Sequence, residues 1–380
     1  MGDLISFNKM HAYVPFSDEA VNFLNSVSEI LRSDTEAKKY SDIQTFAIWA
    51  RKSSILKIKA SYGDLSNRLG RGITFHIAPS NIPLMFMFSF AVSLLSGNSN
   101  IIRLSSKDFE QTPILIKALK EAGAGNMLAI LRYGHDKEIT DYLSSICRSR
   151  IIWGGDGSIA EIRKSEIPVS AIDMPFYDRF SFSIINPCEY LKCQEKMKLA
   201  ERFYNDTYLT DQNACTSPQL VVWLGNDKEK INKAKEAFWS SLEDIVNKKY
   251  VFQNIQAVDK LAAVSRLGAS GIKGKISYKN MKLFRVELDT LPKNIKNFRC
   301  PGGYFYEYVC ENYTELKEIS STETQTISYF GIDKNNIFDF LKNENCTGVD
   351  RIVPIGATMN FGTKWDGFDF IYSLSRIIGS

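Results

Sequence analysis

Between residues 72 and 172, a short apolar run gives way to a turn five times. After four of these turns come apolar positions at helical spacing. The runs at 72–77, 100–104, 127–131, 150–153 and 169–172 have strand character. The stretches 82–95, 112–123, 136–146 and 159–164 have helix character, with Thr112 as N-cap and Pro113 as first helical residue of the second. Ahead of them, Ser17 is expected to cap a helix through Val21, Phe23, Leu24, Val27 and Leu31, in a helical region that reaches about Leu69. Beyond residue 180 a second set follows. Strands are expected at 180–185, 219–224, 282–288, 303–309 and 326–332, helices at 189–205, 227–246 and 257–267, and a flexible turn at 268–274.

Strands alternating with helices predict an α/β chain with a doubly wound, mainly parallel sheet and a second α/β lobe. Right-handed crossovers put the loops that follow the strands on one edge, where ligands bind. In the first lobe these are Pro79–Asn81, Ser105–Lys107, the region of Gly134, and Gly154–Ser158. The lobes are expected to close on the site, as enzyme clefts commonly form between domains.

Composition changes this picture little. A chain of 380 residues, 44% hydrophobic and 24% charged, suits a soluble globular enzyme of two domains, or of one large fold with an inserted lobe. A net charge of +4, with no basic tail, gives no reason to expect nucleic acid as a partner. Seven cysteines without a CxxC pair suggest reduced thiols in a cytoplasm, and three scattered histidines argue against a metal site. The start lacks a secretory pattern, and the most apolar stretch, 82–95, is shorter than the roughly 20 residues that span a bilayer. No membrane span is expected.

The candidate chemistry centres on Thr210-Asp211-Gln212-Asn213-Ala214-Cys215-Thr216-Ser217-Pro218, between a helical run and a strand. A cysteine on such a turn can be reached by a substrate, and backbone and amide N–H groups beside it can hold an oxyanion. The alternative is that Cys215 is a buried small hydrophobe, as most free cysteines are. Asn81, between Pro79 and Pro83, is either an amide donor on a rigid loop or an Asx-turn residue before a helix. Gly154, Gly155, Gly157 and Ser158 either face a phosphate or form a tight turn, and Asp156 counts against close pyrophosphate contact. Arg103 ends a strand, facing either a cofactor or solvent. His76, inside a strand, is expected to be a satisfied core histidine, and Trp365–Asp369 to form an aromatic turn.

Five segments occur together in order: GITFHIAPSNIP from Gly72, GNSNIIRLSS from Gly97, IIWGGDGS from Ile151, DQNACTSP from Asp211, and GVDRIVPIG from Gly348 followed by WDG from Trp365. In these the chain resembles the acyl-CoA reductases of the bacterial bioluminescence type (LuxC-like), a branch of the aldehyde dehydrogenase superfamily. The resemblance implies an aldehyde-dehydrogenase-like fold. A Rossmann-like cofactor domain is expected over 1–180, a catalytic domain over 181–350, and a C-terminal seam or oligomerisation element over 351–380. It makes Cys215 the nucleophile and Asn81 a partner of the cysteine's own N–H in the oxyanion hole. It places the cofactor against Ile77, Ala78, Pro79, Arg103, Ser105, Ser106, Lys107 and the Gly154–Ser158 loop.

Two departures from the superfamily pattern matter. Ser106 stands where many members carry an acidic residue that grips the ribose hydroxyls of NAD. With Lys107 beside it, this favours NADPH over NADH. The usual Glu-Leu-Gly-Gly-Lys run is absent around Met174–Arg179, so no water-activating glutamate is evident and the role of Asp178 stays open. The implied activity is reduction of a fatty-acyl thioester to the aldehyde through an acyl-cysteine. The implied partners are acyl-CoA or an acyl-protein synthetase, in a cytoplasmic homo-oligomer. Aldehyde oxidation by the same cysteine, or a non-redox acyl carrier, are the alternatives.

Overall fold

The computed structural model describes residues 11–379. Ser17 caps α1 (Asp18–Ser33), its hydroxyl accepting from the Ala20 N–H at 3.3 Å, with Asp18 and Glu19 in the first turn. The face carrying Val21, Leu24, Val27 and Leu31 is buried. Helices α2 (Ser41–Trp49) and α3 (Lys52–Ala60) complete this region, followed by the short β1 (Arg68–Gly70). The alternation then begins: β2 (Ile73–Ile77), α4 (Met85–Leu95), β3 (Ser99–Arg103), α5 (Gln111–Glu121), β4 (Leu128–Leu131), α6 (Lys137–Ile146), β5 (Ser149–Trp153), α7 (Asp156–Ile162) and β6 (Ile172–Phe176). Every residue of α4 but Phe88 is buried, which explains why it is apolar all round.

The five parallel strands lie in the order β4-β3-β2-β5-β6. The direction of winding reverses between β2 and β5, and such a reversal opens a crevice at the carboxyl ends of the strands. Ile77, last in β2, pairs with Arg103 of β3 on one side and Ile152 of β5 on the other. The loops after β2 and β5 therefore flank the reversal.

The described residues fall into two compact units, 11–178 with 361–379, and Arg179–Asn360. The second unit runs through β7 (Phe180–Ile185), α8 (Pro187–Lys192), α9 (Lys196–Thr207), β8 (Leu220–Leu224), α10 (Lys228–Lys249), α11 (Asn254–Ala269), β9 (Gly274–Asn280), β10 (Leu283–Leu288), β11 (Tyr304–Cys310), β12 (Thr324–Phe330), α12 (Lys334–Asn343) and β13 (Arg351–Pro354). Its seven strands are ordered β13-β12-β7-β8-β11-β10-β9, all parallel except the edge strand β9. Glu307 of β11 is buried here. Its Oε2 accepts from the indole N–H groups of Trp223 (3.0 Å) and Trp239 (2.7 Å), and its Oε1 pairs with Arg285 at 3.1 Å.

The chain then returns to the first unit. β14 (Lys364–Trp365) and β15 (Phe368–Asp369) form a hairpin whose Asp366-Gly367 turn has φ of 48° and 76°, as a two-residue turn of that sequence requires. After α13 (Phe370–Ser373), β16 (Ser375–Ile377) pairs antiparallel with β1.

The pattern along the chain misplaces some elements. The fifth strand is Ile172–Phe176, not 169–172, and Val169 is fully exposed. Pro175 argues against a strand, yet β6 is an edge, where a residue without N–H is tolerated. The helix expected over 189–205 is two helices, broken between Lys192 and Lys196. Thr112 and Pro113 lie within the first turn of α5, which begins at Gln111. The turn expected over 268–274 ends in β9, an edge strand too exposed to carry an apolar signature. The segment 351–380 does not stay together: 351–354 is an edge strand of the second sheet, and 361–379 belongs with the first unit.

Candidate functional site

In the second unit, α9 ends at Thr207, and a short 3-10 turn leads to Asp211 and Gln212. Both residues are left-handed, with φ of 50° and 56°. They reverse the chain so that residues 213–217 form the turn that enters β8. The Gln212 N–H donates to the Thr207 carbonyl (2.9 Å), the Asn213 N–H to Thr210 (2.8 Å) and the Ser217 N–H to Ala214 (2.9 Å). Cys215 is partly exposed among buried neighbours, Ala214 on one side and Thr216, Ser217 and Pro218 on the other. Its carbonyl accepts a 2.6 Å hydrogen bond from the hydroxyl of Ser181 on β7.

The expectation that flanking amide side chains surround the sulfur is corrected for Gln212. It is buried, and its amide is bonded to Pro218, Gly303 and Tyr304. The segment after β13 completes the surroundings. Asp206 on α9 accepts from the N–H groups of Gly356 (2.6 Å) and Thr358 (3.1 Å). Burial outweighs these bonds and pushes its carboxyl up to about 6. The loop so held places the Met359 sulfur 3.3 Å from the Thr216 hydroxyl. Of the other cysteines, Cys147, Cys300 and Cys310 are buried, and burial pushes their thiols up to about 12, 11 and 12. Cys188, Cys193 and Cys346 are partly exposed.

In the first unit, Ile77, Ala78, Pro79, Arg103, Ser105 and Gly154 lie at the carboxyl edge of the parallel sheet. Ala78, Pro79, Ser105 and Lys107 also line one narrow recess with Ile82, Pro83 and Leu104. Arg103 is held by two neighbours: its Nη2 donates to the Gly134 carbonyl at 2.8 Å, and its guanidinium lies 4.8 Å above the Tyr133 ring. Its Nε is buried without a hydrogen-bond partner. Ser106 and Lys107 are exposed, as is Asn81. The glycine stretch is not a free loop: Gly155 is the N-cap of α7, and Gly157 and Ser158 lie within its first turn. A Cβ at 155 or 157 would meet nothing within 4 Å, so packing does not demand either glycine.

His76 is a core histidine, as expected. Its Nε2 lies 2.9 Å from the Asn100 carbonyl oxygen, so Nε2 carries the proton, and its Nδ1 is 2.8 Å from the Ser89 hydroxyl. Burial lowers it to about 4. No group of three or more His, Cys, Asp or Glu residues among the described residues could hold a metal ion, and no described helix is long and apolar enough to cross a membrane. Ser181, Asp206, Met359 and Tyr133 escape a reading of the sequence, because each acts through a partner outside the motif that would flag it.

Two α/β units, one with a five-stranded parallel sheet and one with the Cys215 turn feeding a seven-stranded sheet, make up an aldehyde-dehydrogenase-like fold. Solved structures agree. The chain superposes on aldehyde dehydrogenase 21 from Physcomitrella patens with a TM-score of 0.68 at 14% identity, covering 94% of this chain and 84% of that one. It superposes on an NAD-dependent benzaldehyde dehydrogenase from Corynebacterium glutamicum with a TM-score of 0.64 at 12% identity, covering 95% and 84%. Within that fold the family model for acyl-CoA reductase (LuxC) matches residues 7–378, and the chain belongs to that family. A long-chain acyl-protein thioester reductase from Photorhabdus laumondii is 24% identical over 319 residues, 78% of this chain and 61% of the relative. One from Aliivibrio fischeri is 26% identical over 163 residues, 41% of this chain and 33% of the relative. The matches thus span about a third to three fifths of these relatives' length.

Proposed function

We propose that the chain reduces a fatty-acyl thioester, carried by coenzyme A or by a protein, to the aldehyde, with Cys215 as nucleophile. The observation that carries this reading is the Cys215 turn: a part-exposed cysteine between two fixed ends, in a member of a reductase family. The Cys215 thiolate attacks the thioester carbonyl carbon and forms a carbon–sulfur bond. The carbonyl oxygen takes the negative charge, and the Cys215 N–H stabilises it, with the Asn81 amide as the second donor that the family resemblance implies. Collapse expels the carrier thiolate, which takes a proton, and leaves the acyl group on Cys215.

The residues at the edge of the first sheet fit a nicotinamide dinucleotide. Arg103 holds a buried N–H without a partner at a strand's carboxyl end, and the backbone at Gly155 and Gly157 is open to close approach. Ile77, Ala78, Pro79, Arg103, Ser105, Ser106, Lys107, Gly154, Gly155, Gly157 and Ser158 would hold it. The exposed Lys107 beside Ser106, with no carboxylate at 106, favours NADPH over NADH. When bound, the cofactor supplies the hydride that reduces the acyl group. Release of the Cys215 thiolate then frees the aldehyde. No water-activating glutamate is evident around Met174–Arg179, which favours reduction over oxidation to the acid.

The test is aldehyde formation from a long-chain acyl-CoA with NADPH. One aldehyde should form per NADPH consumed, and Cys215→Ala should lower turnover by at least about a thousandfold. Unchanged turnover in that variant would refute the assignment. Free acid formed from aldehyde and oxidised cofactor, without the reverse reaction, would favour an aldehyde oxidiser.

A further inference from the structure

We infer that Gln212 is the residue that positions the nucleophile turn, acting through the backbone and not by touching the acyl group. The inference rests on the reading of Cys215 as the nucleophile. The Gln212 side chain is buried, and its amide uses its full hydrogen-bonding capacity. Oε1 accepts from the N–H groups of Gly303 (2.7 Å) and Tyr304 (3.1 Å), while Nε2 donates to the carbonyls of Pro218 (3.2 Å) and Tyr304 (3.2 Å). The Gln212 carbonyl in turn accepts from the Gln219 side-chain amide at 2.8 Å.

These bonds close residues 212–218 into a ring with Cys215 near its middle. One amide ties the start of the turn to its end and ties both to the first residue of β11. Gly303 is itself tightly packed: a Cβ there would sit 2.2 Å from the Lys282 carbonyl oxygen and 2.5 Å from the Tyr208 hydroxyl.

The backbone explains why such a clip is needed. Asp211 and Gln212 are consecutive non-glycine residues in the left-handed region. That conformation is disfavoured and persists only when its surroundings over-determine it. Asp211 is fixed as well. Its carboxylate accepts from the Tyr250 hydroxyl at 2.6 Å, its carbonyl accepts from the Gly302 N–H at 3.0 Å, and the Gln256 amide donates to Tyr250 at 2.7 Å. No other side chain replaces the amide. Glutamate lacks the two donors and would set an oxygen against two carbonyls, asparagine is one methylene short, and methionine offers neither donor nor acceptor.

The test is alkylation by iodoacetamide between pH 6 and 10, read cysteine by cysteine from peptide masses, in the natural chain and in Gln212→Glu and Gln212→Met. Cys215 should react about tenfold more slowly at neutral pH, because a displaced turn no longer presents the sulfur and the Cys215 N–H in their native arrangement. Cys188, Cys193 and Cys346 should keep their rates, which a general loosening of the fold would not allow. An unchanged Cys215 profile in a variant whose buried Cys147, Cys300 and Cys310 stay unlabelled overturns the inference. Where those buried thiols do label, the milder Tyr250→Phe decides. It should slow Cys215 in the same sense by about threefold, and no change there also overturns it. Failure of the nucleophile reading shows separately, as turnover retained by Cys215→Ala whatever the alkylation profile does.

Discussion

The hydroxyl of Ser181 bonds to the carbonyl of Cys215 at 2.6 Å and also accepts the N–H of Thr326 at 3.2 Å. One side chain on β7 thus joins the Cys215 turn to β12. Ser181→Ala removes both hydrogen bonds. A loss of about 1–2 kcal/mol in urea unfolding is expected, with a several-fold drop in kcat. Ser181→Thr, which keeps the hydroxyl, should recover most of both.

Asp206 gives the stability curve one sign. Its folded value, about 6, lies above the unfolded value near 3.8, because burial penalises the charged form. Its contribution is therefore fully present below pH 3.8 and is lost as the pH rises through 6. Comparing urea midpoints of the natural chain and Asp206→Asn from pH 3.8 to 7, the advantage of the natural chain should shrink by on the order of 2–3 kcal/mol. A constant difference would mean that Asp206 is ionised throughout.

His76 gives the opposite sign. Burial holds it at about 4, below the usual 6.5. The unfolded chain therefore binds the extra proton first, and stability falls as the pH drops from 6.5 toward 4. The loss is on the order of 3 kcal/mol. His76→Gln should be less stable at pH 7 yet show a flatter decline over that interval. Equal slopes would contradict a neutral, buried imidazole.

Cofactor choice is tested at Lys107. Replacing the exposed ammonium by a carboxylate in Lys107→Glu should raise the KM for NADPH about tenfold or more and leave that for NADH much less affected. A parallel change for both would remove Lys107 from discrimination between them.

Much of this architecture is legible along the chain, because strands such as β2 and β3 and the wholly buried α4 carry dense apolar runs. Edge strands are harder to read. β6 contains Pro175, β9 is mostly exposed, and the apolar Val169 points to a strand where there is none. At the site, Cys215 stands out because its neighbours form a contiguous motif. What braces it does not stand out: Gly303, which binds the Gln212 amide, is 91 residues away, and Gly356, which binds Asp206, is 150 away. Pairings of that length are fixed by strand order, and one sequence does not display strand order.

The central claim is tested most directly by intact-mass analysis after incubation with a long-chain acyl-CoA, with and without NADPH. The account predicts one acyl mass on the protein, mapped to Cys215, that disappears when NADPH is added and does not form in Cys215→Ala. Acylation that persists in Cys215→Ala, or that maps to Cys188 or Cys193, would contradict it.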